Sequence, residues 1–373
     1  MFEMLLTLVA PLIVLGTIES IMPYVMRKNI CFGVMLPEEA NQLEVIQKLK
    51  KQFSMLSIAL TFLSMLPIFV GFLVDLTEEQ LVFIGTIMIF VFLCGSFLNY
   101  YRCHRQVKAL KQQHFNGHIQ GADARIMIAT DFRQQQLIVS NVWFAVIGML
   151  IILITILVPI LFYDRIPEYV PIHWGANGEI TRWVAKSPRV FMVLPFSQMF
   201  TLLILLYTNY TFKSAKQFII PKNPKASREQ NQAYRYVMSK FIVVVGIVTL
   251  LTLMIPQFAI VRATPNMRWF NGLNLGLGVL LLASILYIAF KYGQGGERYR
   301  SRQAEANSYR LVDDDRYWKL GVFYCNPNDP ALFVEKRFGI GLTVNLARPG
   351  AWALIVGIIV LIVLMAVIPT ILI

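Results

Sequence analysis

Residues Val142–Phe162 read VWFAVIGMLIILITILVPILF, without one charged side chain. About 20 such residues in a helix cross the roughly 30 Å hydrocarbon core of a bilayer, where backbone groups find no water and must bond each other. Seven more stretches meet that length: Met4–Val25, Met55–Val74, Leu81–Leu98, Val190–Thr208, Phe241–Val261, Leu273–Phe290 and Trp352–Ile373. The expected fold is an all-α polytopic membrane protein with eight transmembrane helices. Composition agrees, with 57% hydrophobic and 15% charged residues where soluble chains carry about 25% charged. A secreted enzyme, a nucleic-acid module or a disordered chain is excluded as the whole answer. The first span has no basic segment before it and no small-residue cleavage site after it, so it reads as retained rather than as a signal peptide.

The net charge of +13 is an orientation signal. Of the 34 lysines and arginines, 28 fall in loops one, three, five and seven. Lys and Arg accumulate on the cytoplasmic side, so these loops are expected inside and both termini outside. The basic inner face suits anionic headgroups, and nucleic acid is not an expected partner. Cys31, Cys103 and Cys325 fall in cytoplasmic segments and Cys94 in a span, without metal-ligand spacing, so they read as reduced thiols.

Among the inner loops, Phe32, Val34 and Leu36 alternate like a short extended piece, and Pro37-Glu38-Glu39 starts a helix carrying Leu43, Ile46, Leu49 and Phe53. His114 and His118 have helical i, i+4 spacing, but Asn116 and Gly117 intervene and no third ligand follows. Loop five, with Pro221 and Pro224, reads as a flexible connection followed by a short amphipathic lead-in. In the last inner segment, Gly321–Cys325 and Ala331–Lys336 flank Asn326-Pro327-Asn328-Asp329-Pro330, a turn signal that predicts a hairpin between them, and Gly339–Leu346 follows as a third strand-like run. The Asp313-Asp314-Asp315 run beside Arg316 reads as a charge-balanced start, so no metal is expected.

The outer loop between spans four and five carries Pro167, Pro171, His173, Trp174, Gly175, Asn177, Gly178, Glu179, Arg182 and Trp183. Two prolines extend one arm, and the glycines supply a tight reversal. Ile180 and Trp183 are expected to meet Ile172 and Trp174 across the hairpin, with His173, Glu179 and Arg182 converging near the turn. His173, Trp174, Asn177, Glu179, Arg182 and Trp183 are the candidate recognition residues.

The run Ile166–Lys186, with its His-Trp-Gly-x-x-Gly-Glu turn followed by Trp183 and Lys186, resembles the characteristic segment of the Sdp-type immunity protein family. Those are bacterial integral membrane proteins carrying a domain of unknown function. Arg27–Glu39 looks like the inner loop of longer members. Asp314–Pro349 is similar to a second uncharacterised domain accompanying the first in Gram-positive bacteria. The resemblance implies protection from a secreted toxin and signalling at the membrane, with a peptide toxin or a membrane or cytoplasmic signalling protein as partner.

Within the spans, Glu19 lies eight residues before Arg27, about 12 Å up the helix. A carboxyl at that depth is costly and is expected to face the bundle interior, protonated or paired with Asn99, Gln198 or Gln257. Pro195 and Pro256 are expected to kink their spans and free nearby carbonyls. The sequence thus divides into a three-span region to residue 140, two spans flanking the outer segment over 141–212, a two-span region over 213–292, a cytoplasmic hairpin domain over 293–349 and a last helix over 350–373. No Ser/His, Cys/His or metal constellation appears, so the expectation is a non-enzymatic bacterial cell-membrane protein without a cofactor, for toxin immunity or envelope sensing. The alternative is a transporter or channel-like protein using the intramembrane carboxylate, although no internal repeat supports it.

Overall fold

The structure is a computed structural model that describes residues 2–115, 132, 135–175, 177–216, 224–299 and 314–372. It is mostly helical: α1 (Phe2–Val25), α2 (Glu44–Leu73), α3 (Glu78–His114), α4 (Asn141–Leu161), α5 (Pro188–Ser214), α6 (Pro224–Val261), α7 (Arg268–Tyr292) and α8 (Pro349–Leu372). The first seven are long and apolar enough to cross a membrane, and α8 is a further apolar helix. Four antiparallel strand pairs lie between helices: β1 (Ile30–Cys31) with β2 (Val34–Met35), β3 (Tyr169–Trp174) with β4 (Ile180–Ala185), β5 (Trp318–Lys319) with β6 (Phe323–Tyr324), and β7 (Phe333–Glu335) with β8 (Leu342–Val344). The chain forms two compact units, Met1–Phe132 with Ala215–Tyr234 and Leu282–Arg348, and Arg133–Ser214 with Arg235–Leu281 and Pro349–Ile373.

In the first unit α2 packs on α1 and α3 around Leu5, Val9, Leu12, Met65, Ile68 and Phe92. Small residues bring the backbones close: a Cβ at Gly16 would fall on the Thr61 side chain, and Ser54 Oγ donates to Ser20 O at 2.6 Å. A capping box starts α3, with Gln80 N–H donating to Thr77 Oγ and Thr77 N–H to Gln80 Oε1. At a rise of about 1.5 Å per residue, α3 runs well beyond one bilayer thickness. Its last turns, from Tyr100 onward, form the platform for the loops.

Those loops depart from the sequence expectations. Residues 30–35 form a tight hairpin turning at Phe32-Gly33, both with positive φ, and Glu38–Gln42 is a 3-10 turn that Leu43 breaks before α2 begins. Leu43 is exposed, whereas Ile46, Leu49 and Phe53 are buried as expected. Gly321–Cys325 and Ala331–Lys336 do not pair with each other. The first turns back on Trp318–Lys319 through Leu320-Gly321, again both at positive φ, and the second pairs with 342–344. The Asn326–Pro330 turn instead wraps the buried Asn345, whose Nδ2 donates to Asn326 O at 2.9 Å and Asp329 O at 3.1 Å. Loop five rejoins the described chain as the first turns of α6, one continuous helix. His118, Pro221 and Asp313 lie outside the described residues.

In the second unit α4 packs on α5, and α5 on α8, around Phe144, Ile151, Ile152, Leu202 and Leu250. Pro195 has no N–H, so the carbonyl of Phe191 one turn earlier loses its helical donor. Gln257 Nε2 supplies the replacement at 3.1 Å. Gln198 Nε2 reaches the other way, to Leu250 O at 2.9 Å, so two buried amides cross-link α5 and α6. Where α4 begins, Asn209 Nδ2 donates to Val139 O and to Asn141 Oδ1, and Ser239 Oγ donates to Asn209 Oδ1. Overpacking at a close helix approach costs about 1–3 kcal/mol. Gly16→Val is therefore expected to lower thermal stability in detergent by that amount. Gly276→Val, at a glycine whose added Cβ would have open space around it, is expected to change it little.

Candidate functional site

The β3–β4 hairpin is built on an apolar base. Ile166, Val170, Val190, Phe191 and Ile260 form a buried cluster, joined by Ile172, Trp174 and Val184 from the strands. Lys186 Nζ closes the base by donating to Tyr163 O and Ile166 O at 3.2 and 3.0 Å. The turn is pinned to the α6–α7 connection. Met267 N–H donates to Gly178 O at 2.8 Å, Trp174 Nε1 to Thr264 O at 3.2 Å, and Glu179 bridges Asn266. Loops four and six thus meet in this unit.

Of the six candidate recognition residues, His173 and Arg182 stand opposite each other in the β3–β4 ladder. His173 Nδ1 contacts Thr181 Oγ1 at 2.5 Å, and Glu179 accepts from Asn177 Nδ2 at 2.8 Å. Neither bonds Arg182, which has no side-chain partner among the described residues. Trp174 pairs with Ile180 as expected, but Trp183 stands opposite Pro171 rather than Ile172. Bulges between Pro171 and His173 and between His173 and Trp174 shift the register. Trp183 is 49% exposed and Tyr169 63%, so the hairpin presents an aromatic surface, with Glu179 exposed at its turn and Arg182 on β4.

The intramembrane residues divide between the units. Glu19 accepts a short hydrogen bond from Ser96 Oγ, and Asn99 donates to Phe53 O and Ser57 Oγ at 3.1 and 3.2 Å. Glu19 therefore sits among α1, α2 and α3, bonded to a serine hydroxyl. Its expected partners Gln198 and Gln257 are instead the α5–α6 cross-links, with Oε1 atoms that receive no hydrogen bond among the described residues.

A second constellation escaped the sequence reading. Arg27 pairs with Glu335, and both side chains are about 8% exposed. Asn231 Nδ2 donates to the other Glu335 oxygen at 2.9 Å. Arg337, 3% exposed, pairs with both Asp314 and Asp315 and donates to Gly33 O at 2.9 Å. Lys111 reaches Asp315 Oδ2, and Lys216 reaches Asp329 Oδ2, each at 2.6 Å. On α3, His104 Nδ1 lies 2.8 Å from Phe32 O. A carbonyl only accepts, so that nitrogen carries the proton, leaving the Tyr100 hydroxyl to donate to Leu320 O at 3.1 Å. Phe338 stacks on Phe32 and lies 4.4 Å from Tyr100, ring to ring. Loops one, three, five and seven converge here. Only glycine suits the two turn tips: a Cβ at Gly33 would strike Gly321, and one at Gly321 would strike Tyr100 and His104.

These groups fasten the loops to one another. Burial pushes the Cys31 thiol up to about 12, which favours its protonated form. Among the described residues no group of three or more His, Cys, Asp or Glu is placed to hold a metal ion.

Fold and geometry define a mostly helical, multi-pass membrane protein. Residues 150–199, which enclose β3 and β4, match a domain of unknown function (DUF1648), typical of membrane proteins. Residues 327–352, within the ion-paired constellation and the start of α8, match a family of unknown function (DUF5808). No curated protein and no solved structure matches the chain.

Burial alone would raise the Asp315 carboxyl, but the Arg337 and Lys111 charges outweigh it and hold it below the usual carboxylate range. Its ionic contribution is thus full above about pH 4 and is lost as pH falls through the depressed folded value. Asp315→Asn is expected to unfold at lower temperature at pH 7 and to lose less on acidification toward pH 3. Arg337→Met removes the pairs to Asp314 and Asp315 while leaving Lys111 on Asp315, and is expected to unfold at lower temperature than wild type at pH 7. Thermal unfolding equal to wild type would show that the ion pairs hold nothing.

Proposed function

We propose that this chain is a non-enzymatic bacterial cell-membrane protein that recognises an antimicrobial peptide or toxin at its outer face, conferring immunity or sensing envelope attack. Supporting this reading is an exposed β3–β4 hairpin pinned on a rigid base between two apolar helices, inside the segment that matches DUF1648. The Ile166–Lys186 resemblance to the Sdp-type immunity family points the same way. Loops one, three, five and seven, which hold most of the basic residues, gather in one unit, as common placement on the cytoplasmic side requires. On this reading eight helices span the bilayer, both termini are extracellular, and the ion-paired loops lie in the cytoplasm to signal to a partner.

A second reading, transport through the bundle, draws on the Glu19–Ser96 hydrogen bond in the α1–α2–α3 seam. A deletion strain challenged with a panel of peptide toxins separates the two. Under the leading reading it becomes sensitive, Glu19→Gln restores protection fully, and Arg182→Ala with Trp183→Ala does not. Loss confined to Glu19→Gln would favour transport, and a fully resistant deletion strain would end the immunity reading. Topology is checked in chains lacking native cysteines: Trp183→Cys is expected to label in intact cells and Asn328→Cys only after permeabilisation. Labelling of the second but never the first would reverse the orientation.

A further inference from the structure

The β3–β4 register leaves one edge open. Lys186 N–H donates to Glu168 O at 2.7 Å, which makes Tyr169/Ala185 a non-hydrogen-bonded pair and Val170/Val184 a bonded one. The next pair, Pro171/Trp183, is again non-bonded, consistent with a proline that has no N–H to give. The N–H and C=O groups of Trp183 and Ala185 therefore point away from β3. Among the described residues β4 has no other strand neighbour, and Thr181, Arg182, Trp183 and Ala185 are all exposed. Natural proteins usually blunt such an edge, because unpaired strand groups template another chain. Here the α6–α7 connection meets the edge at Gly178 and Glu179, nothing among the described residues pairs with it at Trp183 and Ala185, and along β4 the only charged side chain is Arg182, which has no acidic partner among the described residues.

We propose that β4 binds an extended peptide by strand addition, with the backbone of Trp183 and Ala185 pairing to the peptide and Arg182 taking a peptide carboxylate. This rests on the hairpin being the recognition surface and names the class of its ligand: an acidic, strand-forming peptide. Main-chain hydrogen bonds supply affinity and side chains the selectivity, as in other strand-addition complexes.

The test uses the full chain in zwitterionic nanodiscs and fluorescein-labelled eight-residue peptides read by anisotropy. One alternates Val with Glu, one alternates Val with Lys, and a third is the Val/Glu peptide with N-methylated backbone amides. The Val/Glu peptide is expected to bind at least tenfold more tightly than either of the others. Ala185→Pro removes an outward N–H that has no partner within the hairpin, so it is expected to keep the helical spectrum and elution volume while binding at least tenfold less. Arg182→Glu, which touches no backbone group, is expected to transfer the preference to the Val/Lys peptide. Equal binding of the methylated peptide, equal binding to empty nanodiscs, or no peptide binding at all would overturn strand addition. If Arg182→Ala with Trp183→Ala abolishes protection in cells while binding ignores amide methylation, outer recognition stands and the edge mechanism falls. If the edge binds as expected but the deletion strain is fully resistant to the toxins, the edge mechanism stands and the immunity reading falls.

Discussion

Lipid offers a backbone amide no partner. In this chain that constraint reaches past the choice of helices to individual side chains inside them. Pro195 leaves the Phe191 carbonyl without its helical donor, and Gln257 crosses from the neighbouring helix to fill the gap. Gln198 makes the matching reach to Leu250, and Asn99 to Phe53. A fully buried glutamine in a bilayer would otherwise carry two unmet donors, so these residues act as fasteners between helices whose apolar surfaces gain little from each other in lipid.

Between the loops the governing interaction is the ion pair, fully buried only for Arg27 and Glu335. Arg27, Arg337, Lys111 and Lys216 each find a carboxylate on the segment 314–335. Isolated pairs of this kind add little net stability, but removing one partner strands the other. Their value is selectivity of arrangement. Three turn tips, Phe32, Leu320 and Phe338, are held against or beside Tyr100 in one order, and the glycines beside the first two leave no room for another.

The helices were legible because a bilayer imposes a length that few other environments demand, and the asymmetry of Lys and Arg marked which loops belong together. The convergence of loops one, three, five and seven follows that asymmetry, but the pairs that effect it did not show. Arg27 and Glu335 are separated by 308 positions, and no local pattern announces such a partnership. The hairpins of residues 318–344 differ from the sequence expectation for a local reason. Asn326–Pro330 has the composition of a reversal and does turn the chain, but around Asn345 rather than between paired strands. Leu320-Gly321 bends the backbone with a leucine at positive φ, a poor residue for that conformation and hence a faint signal. At the β3–β4 hairpin the turn is readable, but not the two bulges that set Trp183 opposite Pro171 and His173 opposite Arg182.

The pairing of Arg27 with Glu335, and of Gly33 with Arg337, has a bearing on how the molecule is made. A ribosome releases the first loop long before it reaches the residues that complete it. At about 5–20 residues per second, some 300 residues of synthesis leave Arg27 waiting on the order of tens of seconds without its buried counter-charge. Helices α1 and α2 therefore leave the ribosome well ahead of the segment that locks the loop between them.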